Sequence, residues 1–203
     1  MQASNPFVMA QPVMGNYALM LLIACVFYIQ MMFDPDAEYL SGMVLKEWSV
    51  SGLFGHMWLH MNPVHLVGNL VTLWVFGYRV CPALGDRAYA VGYVAAGAVA
   101  GLMHMMCDGR PVIGASGAIM GVLGMHVVTC FGRLGRSAPW LIYVWFMATV
   151  GAGMVGSFPA AYMAHVGGFL SGMVLSVCFI IFRIGNSDGT DPALLAILRR
   201  SSG

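Results

Sequence analysis

Ser116 and His165 carry the side chains best suited to acyl chemistry. Each lies inside a long uncharged stretch, in Gly114-Ala115-Ser116-Gly117 and in Ala164-His165-Val166-Gly167-Gly168. A hydroxyl within hydrogen-bond reach of an imidazole makes a nucleophile and its base. His65 and Asn69 are four residues apart, so on a helix they share one face. Side chains of these two types, aimed at a developing oxyanion, supply the remaining function of acyl transfer. No Asp or Glu falls inside the stretches that hold these residues. Any catalytic unit is therefore expected to be a dyad, because an unpaired carboxylate in hydrocarbon is costly.

These residues must be carried by membrane-spanning elements. Of 203 residues, 60% are apolar and 8% charged, and the mean hydropathy is +0.80. Such a composition excludes an ordinary water-soluble globule. It also excludes disordered, collagen-like and nucleic-acid-binding chains, which need high charge, a Gly-X-Y repeat or a basic patch. Five cysteines (Cys25, Cys81, Cys107, Cys130 and Cys178) include no C-x-x-C pair. An odd, scattered set is neither a disulfide framework nor a zinc site, so they are expected to be packing residues. The first sixteen residues carry no positive charge, unlike a signal peptide, and the first apolar stretch is expected to remain as an anchor.

Uncharged stretches of about 20 residues are read as spanning helices, because backbone groups in lipid must pair within the segment. Six are expected, in an all-α polytopic bundle: residues 17–33, 63–78 and 88–107, a fourth between Arg110 and Arg133, and two more within 137–182. Those last two are separated by a turn at Gly156-Ser157-Phe158-Pro159. With a cytoplasmic N-terminus, seven Lys and Arg residues fall on the cytoplasmic side and two, Lys46 and Arg110, outside. That bias sets both termini in the cytoplasm. Residues 1–16 and 185–203 become cytoplasmic segments flanking a membrane domain at 17–184. Ser116, His165, His65 and Asn69 then share one depth near the outer surface. Gly117 and Gly121 form a small-xxx-small face on the fourth segment, and Gly168 and Gly172 form another on the sixth. Such faces let two backbones approach closely, as short side chains need if they are to touch.

The ordered set His60-x4-His65-x3-Asn69, Gly114-Ala115-Ser116-Gly117 and Ala164-His165-x2-Gly168-x3-Gly172, on helices two, four and six of six, resembles the rhomboid family of intramembrane serine proteases. The resemblance implies a six-helix fold and cleavage of peptide bonds in or beside transmembrane helices. It implies Ser116 as nucleophile and His165 as general base. The oxyanion and substrate would be held by His65, Asn69 and the Gly114 segment, including the Ser116 N–H. His60, Gly117, Gly168, Gly172 and Met120 would be structural neighbours of the site. Met120 stands where many members carry a Tyr that stacks on the catalytic His. Trp48-Ser49 stands where many have Trp-Arg. Partners would be transmembrane protein substrates and the lipid bilayer, with no nucleic acid and no cofactor. The compact core suggests a prokaryotic plasma membrane.

Two other readings compete with proteolysis. One is a rhomboid-like protein without catalysis that binds transmembrane clients. The other is metal binding through His56, His60 and His65 with the Met103-His104-Met105-Met106-Cys107 run, although Met is also an adaptable apolar filler and the His spacing lacks a convincing further ligand. His104 and His126 are expected to be structural.

Overall fold

A single 20-residue helix, α1 (Met14–Phe33), opens the part of the chain that the computed structural model describes, which comprises residues 13–33, 39–130 and 162–182. Its buried residues are Asn16, Leu19, Ile23, Phe27 and Gln30, spaced by threes and fours along one stripe. The other faces expose Leu21, Leu22, Tyr28 and Ile29. A connection follows that includes a 3-10 turn at Tyr39–Met43, the short α2 (Val50–Gly55) and a second 3-10 turn at His56–Trp58. Then come α3 (Pro63–Leu84), α4 (Asp86–Cys107), α5 (Ser116–Thr129) and α6 (Tyr162–Ile181). No strand occurs among the described residues, which hold one isolated antiparallel bridge, Leu45 with Val112.

Among the described residues four helices, α1, α3, α4 and α6, are long and apolar enough to cross a membrane. They correspond to expected segments one, two, three and six. The fifth segment, the turn at 156–159, residues 1–12 of the N-terminal segment and the whole C-terminal segment lie outside the described residues, and α1 begins at Met14, within the expected N-terminal segment. α3 starts as its sequence dictates: the Asn62 side chain caps it by accepting the His65 N–H at 2.9 Å, and Pro63 sits where no intrahelical N–H is needed. It runs beyond the expected end at 78, because Pro82 comes so late that only one more half-turn follows. Gly85, at φ 83°, then stops the helix and donates its N–H to the Cys81 carbonyl at 2.8 Å.

The fourth segment differs most from expectation. Helix was expected for several residues before Ser116, whereas α5 begins at Ser116 itself. Pro111 lacks an N–H, Val112 pairs with Leu45, and Gly114 adopts φ 131°, so residues 111–115 descend without helical turns. At 14 residues α5 spans about 21 Å, less than the roughly 30 Å of a hydrocarbon core. It is buried on nearly every side and packs most extensively against α6, then α4 and α3.

Glycine sets the α5–α6 distance. A Cβ at Gly168 would fall on the Gly117 carbonyl, one at Gly172 on the Gly121 carbonyl, and one at Gly124 on the Phe169 carbonyl. At the other end of the bundle, Asp86 Oδ1 accepts from the Gly15 N–H and the Cys81 thiol, both at 3.0 Å, and Tyr89 donates its hydroxyl to Asn16 Oδ1 at 2.7 Å. The thiols are not uniformly packing residues: Cys81 is buried, while Cys25 and Cys107 are exposed because they face outward from α1 and the end of α4.

Gly172→Ala is expected to cost about 1–3 kcal/mol and lower the thermal midpoint in detergent, since a methyl there meets backbone that cannot rotate away. Gly68→Ala has nothing within 4 Å of its new methyl and should leave the midpoint unchanged or slightly raised. Equal midpoints for the two variants would contradict the close packing of α5 on α6.

Candidate active site

The beginning of α5 meets α6 at a hydrogen bond. Ser116 Oγ lies 2.9 Å from His165 Nε2, joining residues 49 apart in sequence. Both side chains are half-buried. Ser116 is the first residue of α5, where backbone N–H groups have no intrahelical acceptor and the helix dipole favours negative charge. Among the described residues no carboxylate pairs with His165.

The chain entering Ser116 is held by the outer connection. Leu45 and Val112 exchange backbone bonds at 3.2 and 2.9 Å, and the Gly114 N–H donates to the His56 carbonyl at 2.8 Å. That N–H is therefore occupied, and what Gly114 offers the site is room. A Cβ there would stand 2.7 Å from His65 Cε1 and 3.0 Å from Nε2, so the His65 ring rests on the bare Gly114 backbone two residues before Ser116.

His65 Nδ1 and Asn69 Nδ2 are buried without hydrogen-bond partners among the described residues. Asn69, one turn after His65 on α3, is 8% exposed and keeps its amide donor available. His60 is fully buried, and among the described residues neither of its ring nitrogens makes a hydrogen bond of standard geometry. Its ring meets Phe27 edge-on at 6.3 Å and His65 at 5.1 Å between centroids. Burial first, and the nearby His65 second, push the His60 imidazole down to about 4. Burial also lowers His56, whose Nδ1 bonds the Gly52 carbonyl at 3.0 Å. Gly117 and Gly168 lie back to back beside the Ser116–His165 contact, with Gly172 one turn further along α6. Met120, one turn along α5 and 2% exposed, borders the Gly168 contact.

Other residues singled out from sequence fall elsewhere. His104 Nε2 bonds the Arg110 carbonyl at 2.7 Å and so braces the chain between α4 and α5. His126 packs edge-on against Phe76 at 5.3 Å, deep in the bundle. Trp48 is exposed. Among the described residues no group of three or more His, Cys, Asp or Glu side chains is arranged to hold a metal ion. The sequence reading passes over Gln30, which binds the His60 backbone; a lone amide on the buried stripe of an apolar helix was the available signal.

A helical membrane bundle with this pairing at one end defines a class, and comparison with known proteins gives it a family. Residues 47–182 match the family model described as Rhomboid domain. The chain belongs to the rhomboid family. It is 28% identical over 144 residues to RHOMBOID-like protein 1 of Arabidopsis thaliana, covering 68% of this chain and 37% of that one. The mitochondrial presenilin-associated rhomboid-like protein of Rattus norvegicus is 27% identical over 116 residues, covering 55% and 31%. Rhomboid-type serine protease 2 of Emericella nidulans is 27% identical over 127 residues, covering 60% and 25%. The chain thus spans between a quarter and two fifths of the lengths of these relatives.

His60 is held neutral when folded and has an ordinary value of 6.5 when unfolded, so the unfolded chain gains the extra proton on acidification. Its contribution to stability is complete above 6.5 and declines as the pH falls toward 4. Thermal midpoints should drop across that interval, with a shallower drop in His60→Phe. Parallel curves for the two proteins would show that His60 does not carry the effect.

Proposed function

We propose that this protein is an intramembrane serine endopeptidase that cleaves peptide bonds in or beside transmembrane helices of other membrane proteins. The observation that carries the reading is the 2.9 Å contact between Ser116 Oγ and His165 Nε2, made by two separate helices. Family membership supports it.

Ser116 Oγ attacks the scissile carbonyl carbon while its proton passes to His165 Nε2. The oxyanion is received by the Ser116 N–H, the Asn69 amide and the His65 ring, assisted by the positive end of α5. His165 returns the proton to the leaving amine as the C–N bond breaks, leaving an ester on Ser116. Water then attacks that ester with His165 again as base, releasing the new carboxyl end and restoring the serine. Gly114 keeps the space beside His65 open. Gly117, Gly168 and Gly172 hold the helices together, Met120 packs beside Gly168, and His60 packs against His65. No cofactor is needed for these steps.

The bilayer surrounds the spanning helices. The Lys and Arg distribution supports a topology with both termini in the cytoplasm and the site near the opposite face. A prokaryotic plasma membrane draws no support from the relatives named above, which come from a plant, a mammal and a fungus.

A fluorophosphonate probe should label the purified protein, with labelling lost in Ser116→Ala and retained in Ser41→Ala. His165→Ala should abolish cleavage of a transmembrane substrate in detergent. Asn69→Ala should lower kcat by about 10- to 1,000-fold, the scale of one oxyanion donor. Full proteolysis by His165→Ala would overturn the mechanism. Neither labelling nor cleavage by the unaltered protein would favour the client-binding relative.

A further inference from the structure

Gln30 is the polar residue near the outer end of α1 that the proposed chemistry does not use. It is 8% exposed, while its neighbours Ile29, Met31 and Met32 face outward. Its amide makes two hydrogen bonds to a single residue: Nε2 donates to the His60 carbonyl at 2.8 Å, and Oε1 accepts the His60 N–H at 3.1 Å. A side chain thereby satisfies both backbone groups of a fully buried residue in a stretch that has no helix or sheet to satisfy them. Phe27, one turn earlier on α1, meets the ring of the same histidine. α1 therefore grips both the backbone and the side chain of His60.

His60 in turn touches the site. Its ring abuts His65, and the His65 ring lies on Gly114 two residues before Ser116. Among the described residues His65 Nδ1 makes no hydrogen bond, and the ring packs against His60 and Gly114. We infer that Gln30 is a positioning residue for the oxyanion side of the site, acting through His60 to hold the His65 ring at Gly114. The inference rests on the proteolytic reading for its consequence in catalysis, but the grip on His60 stands apart from it.

The two parts can be tested separately in the full-length protein in detergent or bilayers. Gln30→Leu keeps the volume and removes both bonds. Amide hydrogen exchange should show loss of protection at the His60 N–H with little change at Leu73 and Phe76 in the middle of α3. Unchanged protection at His60 would overturn the grip, whether or not the protein is a protease. For catalysis, Gln30→Leu should lower kcat about 10- to 100-fold, the scale of a small misplacement of a catalytic group, with KM changed less than about twofold. In a His65→Ala background the same substitution should cost less than about twofold, because the group it positions is already gone. An equal loss in both backgrounds, or no loss in either, would overturn a role through His65. Gln30→Glu keeps the acceptor for the His60 N–H and loses the donor. It should fall between the two, and it serves if Gln30→Leu does not fold. Inactivity of Ser116→Ala, measured alongside, checks the underlying proteolytic reading independently.

Discussion

The backbones of α5 and α6 meet at glycine, and the Ser116–His165 pair depends on that approach. A serine hydroxyl extends barely beyond its Cα, so it can reach an imidazole on another helix only if the two axes are unusually near. Gly117 against Gly168 and Gly121 against Gly172 remove the methyl groups that would keep them apart. Ala96 and Ala100 of α4 close the opposite side of the same α5 glycines, so the central helix is packed by small residues on two fronts. His165 is carried on a helix whose position is set by backbone contact, and among the described residues no carboxylate pairs with it.

The second constraint is that α5 starts late. A full-length spanning helix would have carried Ser116 on its flank, with its N–H consumed by the preceding turn. Starting the helix at Ser116 leaves its first N–H groups without intrahelical acceptors, at the positive end of the helix dipole. The irregular residues 111–115 then need partners of their own, and the outer connection supplies them through Leu45 and His56. Irregular backbone at this depth is tolerated only where protein or water satisfies it. The outer connection is thus part of the site's framework.

Much of this was legible in the chain. Uncharged stretches marked the spanning helices, and the paired glycine faces indicated which two would meet. Asn62-Pro63 marked the start of α3 through side-chain capping, a local effect. What was hidden depends on partners distant in sequence. The helical reading of 111–115 failed because apolarity does not distinguish a buried helix from buried extended chain, and pairing with Leu45 decided the matter. The occupied Gly114 N–H could not be seen without knowing where His56 lies. Gln30 belongs to no motif in the chain, and its two bonds to the His60 backbone depend on a partner 30 residues away. The glycine faces were visible as spacing, but only the fold shows that Gly124 and Phe169 extend the contact.

α1 is tied at both ends by polar groups, Asn16 with Tyr89 and Gly15 with Asp86 at one end, Gln30 with His60 at the other. Between them its outer face is mostly apolar, as at Leu21, Leu22 and Ile29. A strut pinned in this manner can exchange one aliphatic group for another along its length without transmitting the change inward. Lineages living in bilayers of different thickness or fluidity could retune that surface while the interior stays in register.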